Sequence, residues 1–370
     1  MQVVKTYKFK LKLTKAQSKT FDQWLNTCRY LYNNALEHRI TSYKDNKTSV
    51  SKYDQYNELP SIKKAEGLEW IGGVHSDVLQ ETLDKVERSY KNFFSGAGFP
   101  KFKGKKFYNS FTFKRSFKIN SSTIKLPKIG EVKYYNSHPV IGTPRYATAK
   151  KELDGWYICI SAETQVQDVS IDDSQAVGID KGVIVFASLS DGTTIKSPLF
   201  LEPNLTKLKI LQRKLTRKSK GSKNESRVKK QISKLHQKIG RQRSDFLHKQ
   251  STLISKKYSS CYVEDLKIKN MIKLNSTLSR RMLDSGFYSF RQKLEYKFKH
   301  SSKHFAAVAP QYTSQMCSEC GVIDKKSRLS QTEYLCTACG HVDNADNNAA
   351  KNIKVKGINL HSKRGAIARA

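Results

Sequence analysis

Two CxxCG pairs constrain this chain more than any other feature of its sequence. Cys317 and Cys320 are separated by two residues, Cys336 and Cys339 likewise, and fifteen residues lie between the pairs. That is the spacing of a zinc ribbon. Gly321 and Gly340 follow the pairs at points where the chain must turn tightly for amide groups to face the sulfurs. Four thiolates close a tetrahedral shell and leave no position for water or substrate. A zinc held by Cys317, Cys320, Cys336 and Cys339 is therefore structural, organising a lobe over residues 316–340 too short to bury a core of its own. Cys28, Cys159 and Cys261 stand alone among apolar neighbours, which suits small buried residues in a reducing compartment.

Directly after the ribbon, Asp346 opens the segment DNNAAKNI, whose Ala349, Ala350 and Ile353 mark the first turns of a helix. An acid at that position either caps the helix or binds a ligand, and the segment alone leaves both open. Two other acids stand in apolar strand patterns: Asp180 ends the run AVGID, and Glu264 ends the run CYVE. A carboxylate flanked by apolar residues is costly to bury without a partner, so a cation or a functional site is the better account. Asp180, Glu264 and Asp346 lie on separate elements, which is how an RNase H-type fold gathers hard oxygen ligands for Mg²⁺ to hydrolyse phosphodiesters.

The charge balance supplies the polyanion. Sixty-eight Lys and Arg against thirty-two Asp and Glu leave +36, and without a long disordered basic tail this charge must lie on folded surfaces. Nucleic acid is the expected partner. A length of 370 residues with 38% hydrophobic content predicts two or three domains with real cores. The N-terminus carries no apolar signal segment and no uncharged apolar run approaches a membrane span, so a cytoplasmic, nucleoid-associated location is expected and no membrane partner.

Along the chain, Tyr7, Phe9, Leu11 and Leu13 alternate with Lys8, Lys10 and Lys12, predicting a strand with one buried face. The lysine row suits either phosphates or a solvated edge that blocks sheet pairing. Thr14 and Gln17 form a capping-box pair before a helix with Phe21, Trp24, Cys28, Leu31 and Ala35 on one face. A second helix carries Leu79, Leu83, Val86, Tyr90 and Phe93. From Gly96 to Tyr135 there are ten basic residues, one acid and nine aromatics, a pattern of strands whose aromatic residues either stack bases or fill a half-buried face. Residues 205–257 carry eighteen Lys and Arg against two acids and read as a helical hairpin broken at Gly221, with an apolar seam at Val228, Ile232, Leu235, Ile239, Phe246 and Leu253. A further helical segment is expected through Arg280, Phe290, Leu294 and Phe298, followed by the strand HFAAVAP.

The motifs GIDKGV, YVEDL, TSQMCSECG, CTACGH and DNNAAKNI, with LPKIGEVK upstream, resemble those of TnpB, the transposon-encoded RNA-guided nucleases related to miniature type V CRISPR effectors. The resemblance covers nearly the whole chain. It implies RuvC-like catalytic acids at Asp180, Glu264 and Asp346, which bind Mg²⁺, and zinc at the four cysteines. Asp343 is a rival for the third acid, because the family commonly has a charged residue before it. The fold implied is α+β and multidomain: a wedge β-barrel (1–13 and 96–174) interrupted by a helical recognition insertion (14–95), then an RNase H-like α/β nuclease (175–315 and 341–356) with a zinc-ribbon insertion (316–340) and a basic C-terminal tail (357–370). The partners implied are a guide RNA from the transposon end, one chain per guide, and double-stranded target DNA beside a short motif. An RNA-guided repressor without cleavage, an unguided structure-selective RuvC-type nuclease and a zinc-ribbon DNA-binding factor are the alternatives. The last leaves the strand acids unexplained.

Overall fold

The computed structural model describes residues 1–169, 171–266 and 276–367, and the chain divides into two compact units, residues 2–165 and residues 166–370 together with Met1. In the first unit the alternating segment forms β1 (Gln2–Lys12), with Val3, Tyr7, Phe9 and Leu11 buried. Three helices follow: α1 (Lys15–Asn46), α2 (Lys52–Ile62) and α3 (Ser76–Phe94). The capping box is formed, with the Gln17 amide donating to Thr14 Oγ1 at 3.2 Å and the Thr14 amide to Gln17 Oε1 at 3.1 Å. The strands then continue as β2 (Ser110–Phe113), β3 (Lys118–Ile119), β4 (Thr123–Leu126), β5 (Gly130–Tyr134), β6 (Thr143–Glu152) and β7 (Gly155–Gln165).

These strands form one sheet in the order β2-β6-β7-β1-β5-β4-β3. β1 is therefore an interior strand, antiparallel to β7 along most of its length and to β5 at its end. This corrects the edge-strand option for its lysines. Lys8 Nζ lies 2.5 Å from Glu152 and Lys10 Nζ 3.2 Å from Asp154, and Lys8 Nζ stands 4.4 Å over the ring of Tyr157. The two lysines are held by carboxylates of their own sheet. The aromatics of the basic segment divide between two roles. Phe111 and Phe113 are fully buried against Trp24 of α1, whereas Phe99, Phe102 and Phe107 face solvent.

The second unit is built on a five-stranded sheet in the order β10-β9-β8-β11-β12. β8 (Ala176–Asp180), β9 (Val185–Leu189) and β10 (Thr194–Lys196) form an antiparallel meander. β11 (Ser260–Glu264) and β12 (His304–Val308) then add in parallel to β8. Because side chains alternate, Val177, Ile179, Cys261 and Val263 join one core while Ala176 and Tyr262 join another on the opposite face. Helices cover both: α5 (Lys223–Lys257) and α7 (Phe287–His300) supply Leu247, Ile254, Phe290, Leu294 and Phe298 to the first, and α8 (Ala345–Ile367) supplies Ile353 to the second.

α4 (Leu205–Thr216) and α5 make the expected hairpin, and Gly221, at φ 85°, makes the break. Its seam differs from expectation. Val228, Leu235 and Ile239 are buried, but burial then passes to Leu247 and Ile254 while Leu253 is exposed. The second half of α5 leaves α4 and packs against α7, and a helix of 3.6 residues per turn drifts off a strict seven-residue stripe. The single helical segment expected around Arg280 is two helices, α6 (Ser276–Ser285) and α7, separated by Gly286 at φ 69°. α8 runs unbroken across residue 357, where a tail was expected to begin; residues 368–370 lie outside the described residues. No helix among the described residues is long and apolar enough to cross a membrane.

Candidate active site and metal centre

Asp180 is the last residue of β8 and Glu264 the last of its parallel neighbour β11, with Ile179 opposite Val263 one position earlier. Both acids thus emerge at the carboxyl ends of the parallel strands, the edge where open α/β sheets bind ligands. α8 reaches that edge because Gly178 lets it. A Cβ on Gly178 would stand 2.1 Å from the Ala350 carbonyl oxygen and 2.5 Å from the Lys354 amide, so only glycine allows this approach of helix to strand. Asp346, one turn before Ala350, lies in the first turn of α8.

Asp180 feels the charge of both other acids. Burial, then the charges of Glu264 and Asp346, push Asp180 up to about 7. Burial raises Glu264 as well, although Thr313 Oγ1 donates to Glu264 Oε1 and the charges of Lys181 and Lys356 oppose the shift. Asp346 is also raised by burial, against the pull of Arg328, whose Nη2 lies 3.3 Å from Oδ1.

The two local alternatives for Asp346 are separated by its neighbours. Asn344, not Asp346, caps α8: its Oδ1 accepts from the amides of Asp346 at 3.0 Å and Asn347 at 3.3 Å. The Asp346 carboxylate instead meets Arg328 and acts on Asp180. Asp343 is occupied elsewhere. It accepts from Lys351 Nζ at 2.9 Å, Asn347 Nδ2 at 2.9 Å and the Asn344 amide at 2.7 Å. Burial would raise this carboxyl, but these hydrogen bonds outweigh burial and hold it below the usual range.

The four cysteines converge, with all their sulfurs within 4.8 Å of one another: Cys317 and Cys339 are 3.7 Å apart, Cys320 and Cys336 3.6 Å. Gly321 (φ 75°) and Gly340 (φ 70°) make the two knuckle turns. This thiolate set fits one tetrahedral metal ion such as zinc. Beside it run β13 (Glu333–Leu335) and β14 (Val342–Asn344), paired antiparallel, with Tyr334 buried against Cys317 and Cys336.

Several functional candidates escaped sequence reasoning. Asn348 Oδ1 accepts from the Ser318 amide at 2.9 Å and its Nδ2 donates to the Met316 carbonyl at 2.8 Å. Asn352 Nδ2 donates to the carbonyls of Met316 at 2.6 Å and Thr313 at 2.9 Å. Both asparagines are buried, and together they bolt the ribbon to the helix that carries Asp346. Their i, i+4 spacing within an otherwise apolar helix face was the available signal. Lys181 is buried too, donates from Nζ to the Glu264 carbonyl at 2.9 Å, and is lowered to about 8 by that burial. Nothing in GIDKGV marks it as buried. Arg328, distant in sequence from every acid motif, gave no signal at all.

The fold and site together describe a two-unit α+β protein in which a mixed sheet gathers acids at its strand ends and a four-cysteine ribbon is fastened to the helix bearing the last of them. Residues 158–275 match the family OrfB_IS605, described as a probable transposase, and residues 287–353 match a Cas12f1-like TNB domain. Residues 1–48 match a helix-turn-helix domain, although here they form β1 and one unbroken helix, α1. The chain is 35% identical to the Escherichia coli (strain K12) protein named "Putative RNA-guided DNA endonuclease InsQ", over 96% of this chain and 93% of that one. It is 29% identical to a Streptomyces pristinaespiralis protein bearing the name "Putative RNA-guided DNA endonuclease", over 96% and 90%. A Cas12f1 solved with sgRNA and target DNA shares the fold, with a TM-score of 0.61 at 16% identity over 92% of this chain and 83% of that one. The chain belongs to the TnpB family of IS605-type OrfB proteins.

Proposed function

We propose that this chain is the RNA-guided DNA endonuclease of a transposon, acting in the cytoplasm. It cuts double-stranded DNA that matches a guide RNA derived from the transposon end, beside a short adjacent motif, with one chain per guide. Near full-length similarity to proteins named RNA-guided DNA endonucleases supports this reading, and the net charge of +36 suits two nucleic-acid partners. The observation that carries the chemistry is the set of Asp180 and Glu264, at the ends of parallel strands, and Asp346, in the first turn of α8, whose carboxyls are all raised by burial. The strand order, with the first strand central and the fourth and fifth parallel beside it, supports an RNase H-like nuclease. On this reading the seven-stranded sheet serves as the wedge barrel, α1 to α3 as the recognition insertion, and the second unit as the nuclease with its ribbon.

Buried, mutually repelling carboxylates suit hard divalent cations, and Asp180, Glu264 and Asp346 are the residues to hold Mg²⁺. Once bound, that ion supplies the positive charge that makes water a nucleophile and steadies the leaving oxygen. The chain's own residues do the positioning. Thr313 orients the Glu264 carboxylate, Lys181 holds the backbone of the same residue, and Arg328 reaches from the ribbon to fix Asp346. Zinc at the four cysteines keeps the ribbon folded so that Arg328 stays in place.

The test is cleavage of a guide-matched duplex in Mg²⁺ alongside a binding assay with the same guide-loaded protein. Asp180→Ala is expected to lower cleavage of both strands at least about a thousandfold and to leave guided binding intact. Near-normal cutting by that variant would overturn the nuclease assignment. Guided binding without cutting by the unmodified chain would make it a repressor.

A further inference from the structure

A surface on the first unit is not used by the chemistry above. At the end of α3, Phe93 and Phe94 lie with ring centroids 5.3 Å apart, and Phe99 stacks edge-on against Phe93 at 5.2 Å. Phe102 and Phe107 follow in the same segment. Phe94 is 80% and Phe107 81% exposed, and Phe99 and Phe102 about half. So many exposed phenylalanines close in sequence exceed the scattered apolar residues normal on a surface and mark a site of interaction.

The cluster is held in place. The chain leaves α3 through Gly96 at φ 92°, with the Ala97 amide donating to the Asn92 carbonyl at 2.9 Å. Further on, Asn33 of α1 grips the backbone of Lys103 from both sides, donating to its carbonyl at 3.1 Å and accepting from its amide at 2.7 Å. A fixed aromatic surface gives up little entropy when it binds.

The charges around it have one sign. Between Glu87 and Glu131 the sequence contains no acid, while Lys91, Lys101, Lys105 and Lys106 interleave with the rings and are exposed. Fixed rings set among ammonium groups, with no carboxylate in the segment, match a polyanion that has free π-faces. That is single-stranded nucleic acid. A duplex offers its phosphates but keeps its bases stacked, so it would leave the phenylalanines exposed. Phenylalanine also has no donor or acceptor to read a 2′-hydroxyl, the group by which a protein tells RNA from DNA.

We propose that the Phe94–Phe107 surface is a stacking platform for the DNA strand displaced when the guide pairs with its target. This rests on the guided reading above, because an opened target holds one unpaired DNA strand while the guide is paired. Stacking is tolerant of sequence, as a strand that changes with every target requires.

The experiment uses guide-loaded Asp180→Ala protein on a matched duplex, with permanganate oxidation of unstacked thymines as the readout. Thymines of the displaced strand resting on the platform should be protected, and Phe94→Ala with Phe107→Ala should raise their reactivity about tenfold or more while other displaced thymines stay as they were. The paired variant Phe94→Tyr with Phe107→Tyr should restore protection, since tyrosine keeps the π-face. An unchanged melting temperature checks that the alanine variant is folded. Equal reactivity in parent and alanine variant, with the target open, would overturn the proposal. So would weakened binding of a 15-nucleotide oligo-uridine with displaced-strand protection unaltered, because the occupant would then be RNA. If no thymine reacts even in the parent, the target has not opened, and it is the guided reading that fails.

Discussion

At the scale of single residues, the end of the ribbon shows how neighbours divide work among similar side chains. Asn344 caps α8, Asp343 pairs with Lys351, and Asp346 is left to the acid cluster. The three should separate experimentally. Asn344→Ala should cost about 1 kcal/mol of stability, read by urea denaturation, through loss of a cap. Asp343→Ala should lose a comparable amount and still cut matched DNA. Asp346→Ala should fold at least as stably as the parent in the absence of divalent ions, since it removes a half-buried carboxylate that repels Asp180, and should cut at least about a thousandfold more slowly. A dead Asp343 variant beside an active Asp346 variant would move the third acid by three residues.

At the scale of elements, two junctions carry distinct tests. Asp191, at the turn between β9 and β10, accepts from Lys257 Nζ at 2.7 Å and Tyr258 Oη at 2.6 Å. Burial alone would raise its carboxyl, but hydrogen bonds from Lys257, Tyr258 and Thr193 outweigh it and hold the group well below the usual carboxylate range. A depressed carboxyl contributes stability that is fully present above its unfolded value near about 4 and is lost as pH falls below it. Asp191→Asn should thus lower stability by about 1 kcal/mol at pH 7 and narrow its gap from the parent as the pH approaches 2, measured by thermal melting across that range. The second junction is the ribbon on α8. Cys336→Ser should reduce bound zinc below one per chain, read by metal analysis, and should also slow cleavage, because Met316 and Arg328 then lose their fixed places against Asn348, Asn352 and Asp346. Full zinc content with unchanged stability would sink the ribbon assignment.

At the scale of the whole molecule, the excess of thirty-six positive charges is the dominant field. Pairs such as Lys8 with Glu152 and Lys10 with Asp154 already cancel within that count, so the excess is carried by other Lys and Arg side chains. Binding of an unmatched duplex should still weaken steeply with salt, by about a thousandfold or more between 50 and 200 mM for six or more phosphates neutralised. Binding of a guide-matched duplex should weaken less, because base pairing adds a favourable term that does not depend on Lys and Arg displacing the counterions condensed on the DNA. Titration by fluorescence anisotropy at several salt concentrations reads both. A flat response for the unmatched duplex would place the charge away from the nucleic-acid path.

What the sequence determined by itself is the chemistry that lies within a few residues: the cysteine knuckles with their glycine turns, the Thr14 and Gln17 capping box, the buried stripe of α1, and the acids closing AVGID and CYVE. Turn, helix and strand periods are short, so such patterns can be read without knowing what packs against them. What only the tertiary structure decided depends on residues far apart along the chain. β1 became an interior strand because β5 and β7 flank it, and the seam of α5 shifted because α7 replaced α4 as its neighbour. Asp346 stands with Asp180 because Gly178 admits the backbone of Ala350, some 170 positions away, and no local period encodes that approach. Lys181 and Arg328 show the same limit: a basic side chain in a basic sequence looks like solvated surface until the fold brings a carboxylate or a carbonyl to meet it.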